Sequence, residues 1–191
     1  LVGSEMCIRD RCTVGGRIHA DARRVIDAQG RVVAPGFIDP HTHFDAQLMW
    51  DGQARPALEH GVTTVVNGNC SLSLAPLRVE HRQKLVRMFQ QIEEMPDAAF
   101  EGAFDWTWEG FGDFVEALRG RVAVNVAPLA GHSPLRMWVM GADAQKRGAN
   151  PDEIRAMQDV LRECLDAGAV GLSTSYVDMD ENLAPVPSRY A

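Results

Sequence analysis

Several residue types and patterns are scarce in this chain. Its 191 residues include only two lysines, Lys84 and Lys146, and four cysteines, Cys7, Cys12, Cys70 and Cys164, with no CxxC pair. A zinc ribbon and a thioredoxin-like motif are thereby excluded, and any role for a cysteine has to be argued singly. No run approaches the ~18 apolar residues of a membrane span, and the start lacks the apolar core of a signal peptide, so a cytoplasmic location is the expectation. The net charge of −7 comes from scattered acidic groups, which argues against nucleic acid or a membrane surface as partner. No GxGxxG or GxxxxGKS/T follows an apolar run, so nucleotide phosphates have no obvious cradle. What is present is a globular composition, 46% hydrophobic and 24% charged, able to bury a core.

The two ends read differently from the middle. Residues 1–12, LVGSEMCIRDRC, show no periodicity and are expected to be non-native, so Cys7 and Cys12 are discounted with them. In residues 13–35, Val25 and Ile26, then Val32 and Val33, flank an AlaGlnGly turn in the manner of a hairpin. From 36 to 191 strand and helix signals alternate, the mark of an α/β fold with a parallel sheet. The ending PVPSRYA offers no closing helix and reads as a fragment truncated at its C-terminus.

Within the α/β part, GFIDPHTHF reads as a strand, PALEHG as a short helix with Pro56 in its first turn, and VTTVVNGNC as a β-branched, buried strand. A helix is expected from about Pro76 to Met95, burying Leu77, Val79, Leu85, Val86, Phe89 and Ile92. An aromatic, irregular stretch with Trp106 and Trp108 follows, where packing is the favoured role. The segment FGDFVEALRG forms a helix through Phe111, Phe114, Val115 and Leu118, and VAVNVAPLAGH forms the third strand. A helix capped by Asn150, with Pro151 and Glu153 in its first turn, carries Ile154, Met157, Val160, Leu161 and Leu165, and AVGLSTS is the fourth strand. Four parallel strands fit either an open doubly wound sheet or half of an eight-stranded barrel.

The chemistry centres on His41 and His43. Residues i and i+2 of a strand face the same way about 7 Å apart, so two imidazoles can converge on one divalent ion. Two half-exposed histidines at a strand edge are the competing reading of an isolated HxH.

The surrounding VVAPGFIDPHTHFD resembles the amidohydrolase superfamily, and GVTTVVNGNCSLSLAP, VAPLAGHSPLRMWVMG and DAGAVGLSTS are similar to its N-acyl-D-amino-acid deacylase (D-aminoacylase) branch. The resemblance spans about residues 14 to 191. It implies the first half of a (β/α)8 TIM-like barrel over 36–191, with 13–35 a remnant of a preceding small β-sandwich domain. It also implies that His41 and His43 bind metal and that Cys70, ending the second strand, bridges it, where many relatives use a carboxylated lysine on the fourth strand. AVGLSTS contains no lysine. One or two zinc ions are the implied cofactor, since thiolate and imidazole together favour zinc.

The implied reaction is hydrolysis of the amide bond of small-molecule N-acyl-D-amino acids by zinc-activated water, with a carboxylate as base. Two histidines and an aspartate from later strands complete the family's site, so this fragment is expected to be inactive alone and prone to aggregate. His132, at the end of the third strand, and Arg136, a guanidinium able to pair with a substrate carboxylate, are the candidate substrate-binding residues. Asp39 and Asp45 are candidate braces for the histidines. Cys164, His19, His60 and His81 read as structural. A cyclic-amide hydrolase of dihydroorotase or hydantoinase type, or a noncatalytic binding protein, are the alternatives; oligomeric state is left open.

Overall fold

A computed structural model describes residues 21, 23–100, 102 and 105–187. The expectations for residues 1–12, and for His19, lie outside these. The chain divides into two compact units, Leu1–Pro35 and Gly36–Ala191.

In the first unit only the turn of the expected hairpin forms. Arg31 N–H donates to Ala28 O at 2.8 Å and Gln29 N–H to Asp27 Oδ1 at 2.8 Å, while Val25, Ile26, Val32 and Val33 stay exposed and unpaired by any ladder. A two-stranded ribbon needs a further strand or helix over its apolar face, and among the described residues nothing covers these four side chains.

The second unit is mixed α/β, and all its strand pairs are parallel. Strand β1 (Phe37–Asp39), β2 (Val62–Asn67) and β3 (Asn125–Pro128) form one sheet in that order, with Asp39 opposite Val65 and Asn67 opposite Pro128. Between β1 and β2 lie α1 (Gln47–Trp50), which the sequence did not announce, and α2 (Arg55–Glu59). Pro56 sits in the first turn of α2, where no intrahelical donor is lost. His60 closes α2, its Nδ1 2.7 Å from Pro56 O, and Gly61 takes the left-handed φ of +87° that turns the chain into β2.

The single third strand read from VAVNVAPLAGH is two. After β3 the chain changes partners, and β4 (Ala130–Gly131) pairs with β5 (Leu172–Ser173) instead of β2. Pro128 supplies no N–H, Leu129 N–H still reaches Asn67 O at 2.8 Å, and Ala130 N–H already donates to Gly171 O at 2.9 Å.

The helix expected from Pro76 is shorter. A 3-10 turn, Val79–His81, leads into α3 (Arg82–Ile92). Ser71–Leu77 is a buried irregular segment whose backbone finds partners without a helix: Leu74 O accepts from Trp108 Nε1 at 3.0 Å, Leu77 N–H donates to Glu109 O at 2.8 Å, and within the segment Ala75 O accepts from Ser73 Oγ at 2.8 Å. Its apolar residues mimic helical spacing yet are core because the loop itself is inside. Val79 and Ile92 are exposed, and Met88 joins Leu85 and Phe89 on the buried stripe.

Helix α4 (Phe111–Leu118) buries Phe111, Phe114 and Leu118, with Trp108 5.5 Å from the Phe114 ring. Helix α5 (His132–Met140) begins directly at the end of β4. Helix α6 (Pro151–Asp166) starts with the expected capping box: Asn150 Oδ1 accepts from Asp152 and Glu153 N–H at 2.9 Å each, and Glu153 Oε2 accepts from Asn150 N–H at 2.8 Å. Met157 and Cys164 are its buried residues, while Leu165 faces out. Among the described residues no helix is long and apolar enough to cross a membrane.

Candidate metal centre

His41 and His43 lie beyond β1, not on it. Their common orientation comes from Thr42, the buried residue between them, whose N–H donates to Val66 O at 3.1 Å and whose Oγ1 lies 2.8 Å from Val66 O and 2.6 Å from Asn67 Oδ1. Thr42 thus extends the period-two alternation past the strand end, and the two imidazoles face the other way with ring centroids 5.3 Å apart. Asp39 Oδ1 accepts from His41 N–H at 3.2 Å, steadying the turn rather than the ring.

Cys70 also lies beyond its strand. Gly68 (φ +82°) breaks away from β2, and its N–H donates to buried Asp45 Oδ2 at 3.0 Å. That bond braces the cysteine loop, and burial pushes the Asp45 carboxyl up to about 7. Cys70 (φ +53°) and Ser71 (φ +70°) then form a left-handed corner of a kind unusual for non-glycine residues. Three later segments hold it. Ser71 N–H donates to Ser173 Oγ at 3.2 Å, Ser71 O accepts from Ser133 N–H at 3.1 Å, and Ser71 Oγ donates to buried Asp178 Oδ2 at 3.2 Å.

The corner places Cys70 Sγ 3.3 Å from His41 Nε2, and one ligand atom each from His41, His43 and Cys70 lies within 4.8 Å of the others. Around a tetrahedral ion with bonds of ~2.0–2.3 Å, neighbouring donors sit about 3.5 Å apart, which the Cys70–His41 pair matches while the three donors together stay within 4.8 Å. Its electrostatics agree. Burial lowers His43 below the usual imidazole value, opposed by Glu93, whose Oε1 is 3.5 Å from Nδ1, and reinforced by His41. Nδ1 itself has no hydrogen-bond partner. A neutral imidazole is the ligating form. Desolvation, then Glu93 and Asp178, push the Cys70 thiol up, so nothing in the protein alone makes it the thiolate expected from its neighbours; a cation would have to displace its proton.

Glu93 and Asp178 are the residues that sequence reasoning missed. Glu93 follows the last turn of α3, where the helix dipole disfavours an acid, and that local conflict was the available signal. Asp178 carried none.

His132 opens α5 at the end of β4, with Nδ1 3.3 Å from Thr174 Oγ1, and burial lowers its pKa. It is not one of the three clustered donors, although the next residue, Ser133, touches the cysteine corner. Arg136 commits two of its three guanidinium nitrogens to backbone carbonyls, and Nη1 has no hydrogen-bond partner among the described residues. It is 1% exposed, its Nε and Nη2 donate to Ala144 O at 3.0 and 2.6 Å, and Nη2 also donates to Arg147 O at 2.7 Å. The arginine expected to bind substrate thus clamps the loop after α5 from a buried position on that helix. Cys164 is core, as expected.

Residues 24–188 match the Amidohydrolase family. A D-aminoacylase of Alcaligenes xylosoxydans xylosoxydans is 43% identical over 84% of this chain and 31% of its own length. An N-acyl-D-aspartate deacylase of the same organism is 40% identical over 92% of this chain and 34% of its own. The crystal structure of an N-acyl-D-glutamate deacylase from Bordetella bronchiseptica, complexed with zinc and a phosphonate mimic of the tetrahedral intermediate, superposes with a TM-score of 0.65 at 34% identity, covering 86% of this chain and 31% of that one. The chain spans about a third of the length of these relatives. With an HxH and a cysteine brought together from successive strand ends, and a family match running nearly end to end, this chain belongs to the amidohydrolase family.

Proposed function

We propose that His41, His43 and Cys70 hold one or two zinc ions and that the site serves hydrolysis of N-acyl-D-amino acids. The observation that carries the proposal is the 3.3 Å approach of the Cys70 thiol to His41 Nε2, with His43 alongside. The deacylase names of the relatives, one solved with zinc, support the substrate class and the metal. The same kinship supports reading β1 to β5 and their helices as part of a (β/α)8 barrel, with 13–35 belonging to a small sandwich domain.

A zinc ion held by His41, His43 and Cys70 would supply Lewis acidity, polarising an amide carbonyl and lowering the pKa of water. The residues of this chain prepare that chemistry. Thr42 turns the two imidazoles to one side, Asp39 steadies the backbone turn at His41, Asp45 and Ser71 hold the cysteine corner, and burial favours the neutral form of His43. His132, beside the corner, is proposed to contact substrate. The general base is proposed to lie outside these 191 residues, so the chain alone binds metal weakly and does not turn over substrate.

Titration with Co2+ tests the metal assignment. A sulfur-to-cobalt charge-transfer band is expected in the parent, absent in Cys70→Ala, and zinc content should fall in His41→Ala; unchanged zinc in both variants overturns it. For the activity, residues 36–187 would replace the matching segment of the D-aminoacylase relative. Hydrolysis of N-acetyl-D-methionine but not its L enantiomer is expected, and a metal-loaded chimera cleaving neither overturns the substrate class.

A further inference from the structure

Glu93 stands at the end of α3, where local forces act against it. It caps that helix, its N–H donating to Phe89 O at 2.9 Å, so its carboxylate meets the negative end of the helix dipole. Glu94, the next residue, takes a left-handed φ of +53°, which residues bearing a Cβ seldom adopt. Neither feature serves the helix, so what holds them is a contact elsewhere in the fold.

That contact is made with His43. Glu93 Oε1 lies 3.5 Å from His43 Nδ1, with the two side chains 23% and 18% exposed. Nδ1 is buried and has no hydrogen-bond partner, so Glu93 is the acceptor the fold sets against it. After desolvation, the same carboxylate is the next influence pushing the Cys70 thiol up, so it faces the cysteine as well as the histidine.

A neutral imidazole carries one proton and one free lone pair, and a carboxylate can only accept. Beside Nδ1 it favours the tautomer protonated there and leaves the Nε2 lone pair open to a cation. A free histidine prefers the opposite tautomer, whose Nε2 cannot ligate.

We infer that Glu93 is a positioning residue: it holds the proton of His43 on Nδ1 and so presents Nε2 as the metal-binding nitrogen. The inference rests on reading His41, His43 and Cys70 as a metal site.

NMR of the metal-free 191-residue chain labelled with 15N-histidine, at a pH where imidazoles are neutral, reads the tautomer directly, and His43→Gln assigns the signal. The parent should show His43 protonated on Nδ1. In Glu93→Leu the proton should move to Nε2 and Co2+ affinity should fall roughly 10–100-fold. Resistance of the metal-free variant to urea should hold or rise, because the acid has left the helix end. Glu93→Gln keeps a carbonyl acceptor and should lie nearer the parent in tautomer and affinity. A parent protonated on Nε2, a leucine variant with unchanged tautomer or unchanged Co2+ affinity, or glutamine no better than leucine overturns the inference. Affinity and stability falling together would mark a structural prop and overturn it as well. Because the tautomer is read without metal, a parent that shows it and binds no cobalt counts against the metal site alone.

Discussion

Cys70 Sγ stands 3.3 Å from His41 Nε2 although neither residue is on a strand. The parallel pairing of β1 with β2 sets Asp39 opposite Val65, two residues before β2 ends, and the last step is made by irregular backbone on each side. Thr42 bonds across to Val66, and Gly68 bonds back to Asp45. Substitutions that loosen this backbone should therefore act on metal binding without touching a ligand.

Ser71→Ala is the first such case. It leaves Asp178 Oδ2 and Ser133 N–H without a partner they have now and frees a corner of positive φ. Stability should fall by about 1–3 kcal/mol, and zinc affinity by roughly 10–100-fold. Denaturant unfolding of the metal-free protein and competitive zinc titration measure the two effects; full zinc affinity in a destabilised variant would show that the corner does not orient the thiol.

Gly131→Ala should be more severe. A methyl group there would meet Ser71 O at 2.6 Å and Ser73 N at 2.9 Å, both backbone atoms that cannot rotate aside. The two loops would have to part, at a cost of about 1–3 kcal/mol. Amide exchange at Ser71 and Ser73 should rise in the variant, and unchanged protection there would contradict the close crossing.

Arg136→Met tests the corrected role of that arginine. Losing the guanidinium strands the carbonyls of Ala144 and Arg147, with an expected destabilisation of about 3 kcal/mol. Co2+ affinity of the folded variant should match the parent. A variant as stable as the parent would return Arg136 to the list of ligand-facing groups.

The α6 cap gives a pH dependence with a definite sign. Arg147, followed by the Asn150 N–H, holds Glu153 down at about 2, below its ordinary 4.5. A carboxylate with a depressed folded pKa contributes above its unfolded value and loses that contribution as the pH falls through the folded one. Acid unfolding between about pH 4.5 and 2 should therefore be shallower in Glu153→Gln. Identical profiles for parent and variant would remove this group from the acid response.

Exposed apolar residues predict association. Phe37 and Ile38 on β1 and Leu172 on β5 are 63%, 66% and 47% exposed, and among the described residues β1 is an edge strand. The 191-residue chain should sediment as oligomers, and Ile38→Lys should shift it toward monomer. Monomeric parent protein at micromolar concentration would contradict this.

The sequence made some features plain and hid others for physical reasons. The Asn150–Glu153 box was legible because a cap is local: three residues determine it. The pairing of His41 and His43 with Cys70 was legible through motif resemblance; the alternation that aligns the histidines runs past the end of β1 instead of lying on the strand, and at Cys70 a left-handed corner takes its place. Turns of positive φ at Cys70 and Ser71 break no composition rule and could not be foreseen. The burial of Arg136 was not legible, because the carbonyls that receive its guanidinium, those of Ala144 and Arg147, lie eight and eleven residues further on in sequence. Ser71–Leu77 was misjudged because a buried loop and a buried helix face share the same apolar content.

The hydrogen bond from Ser71 N–H to Ser173 Oγ joins residues 102 apart. On a ribosome adding roughly 5–20 residues per second, Cys70 leaves the peptidyl-transfer centre about 5–20 s before the serine that completes its corner. Through that interval the nascent thiol has no fixed geometry, so metal delivered early would meet a floppy ligand, and cellular oxidants a less sheltered one.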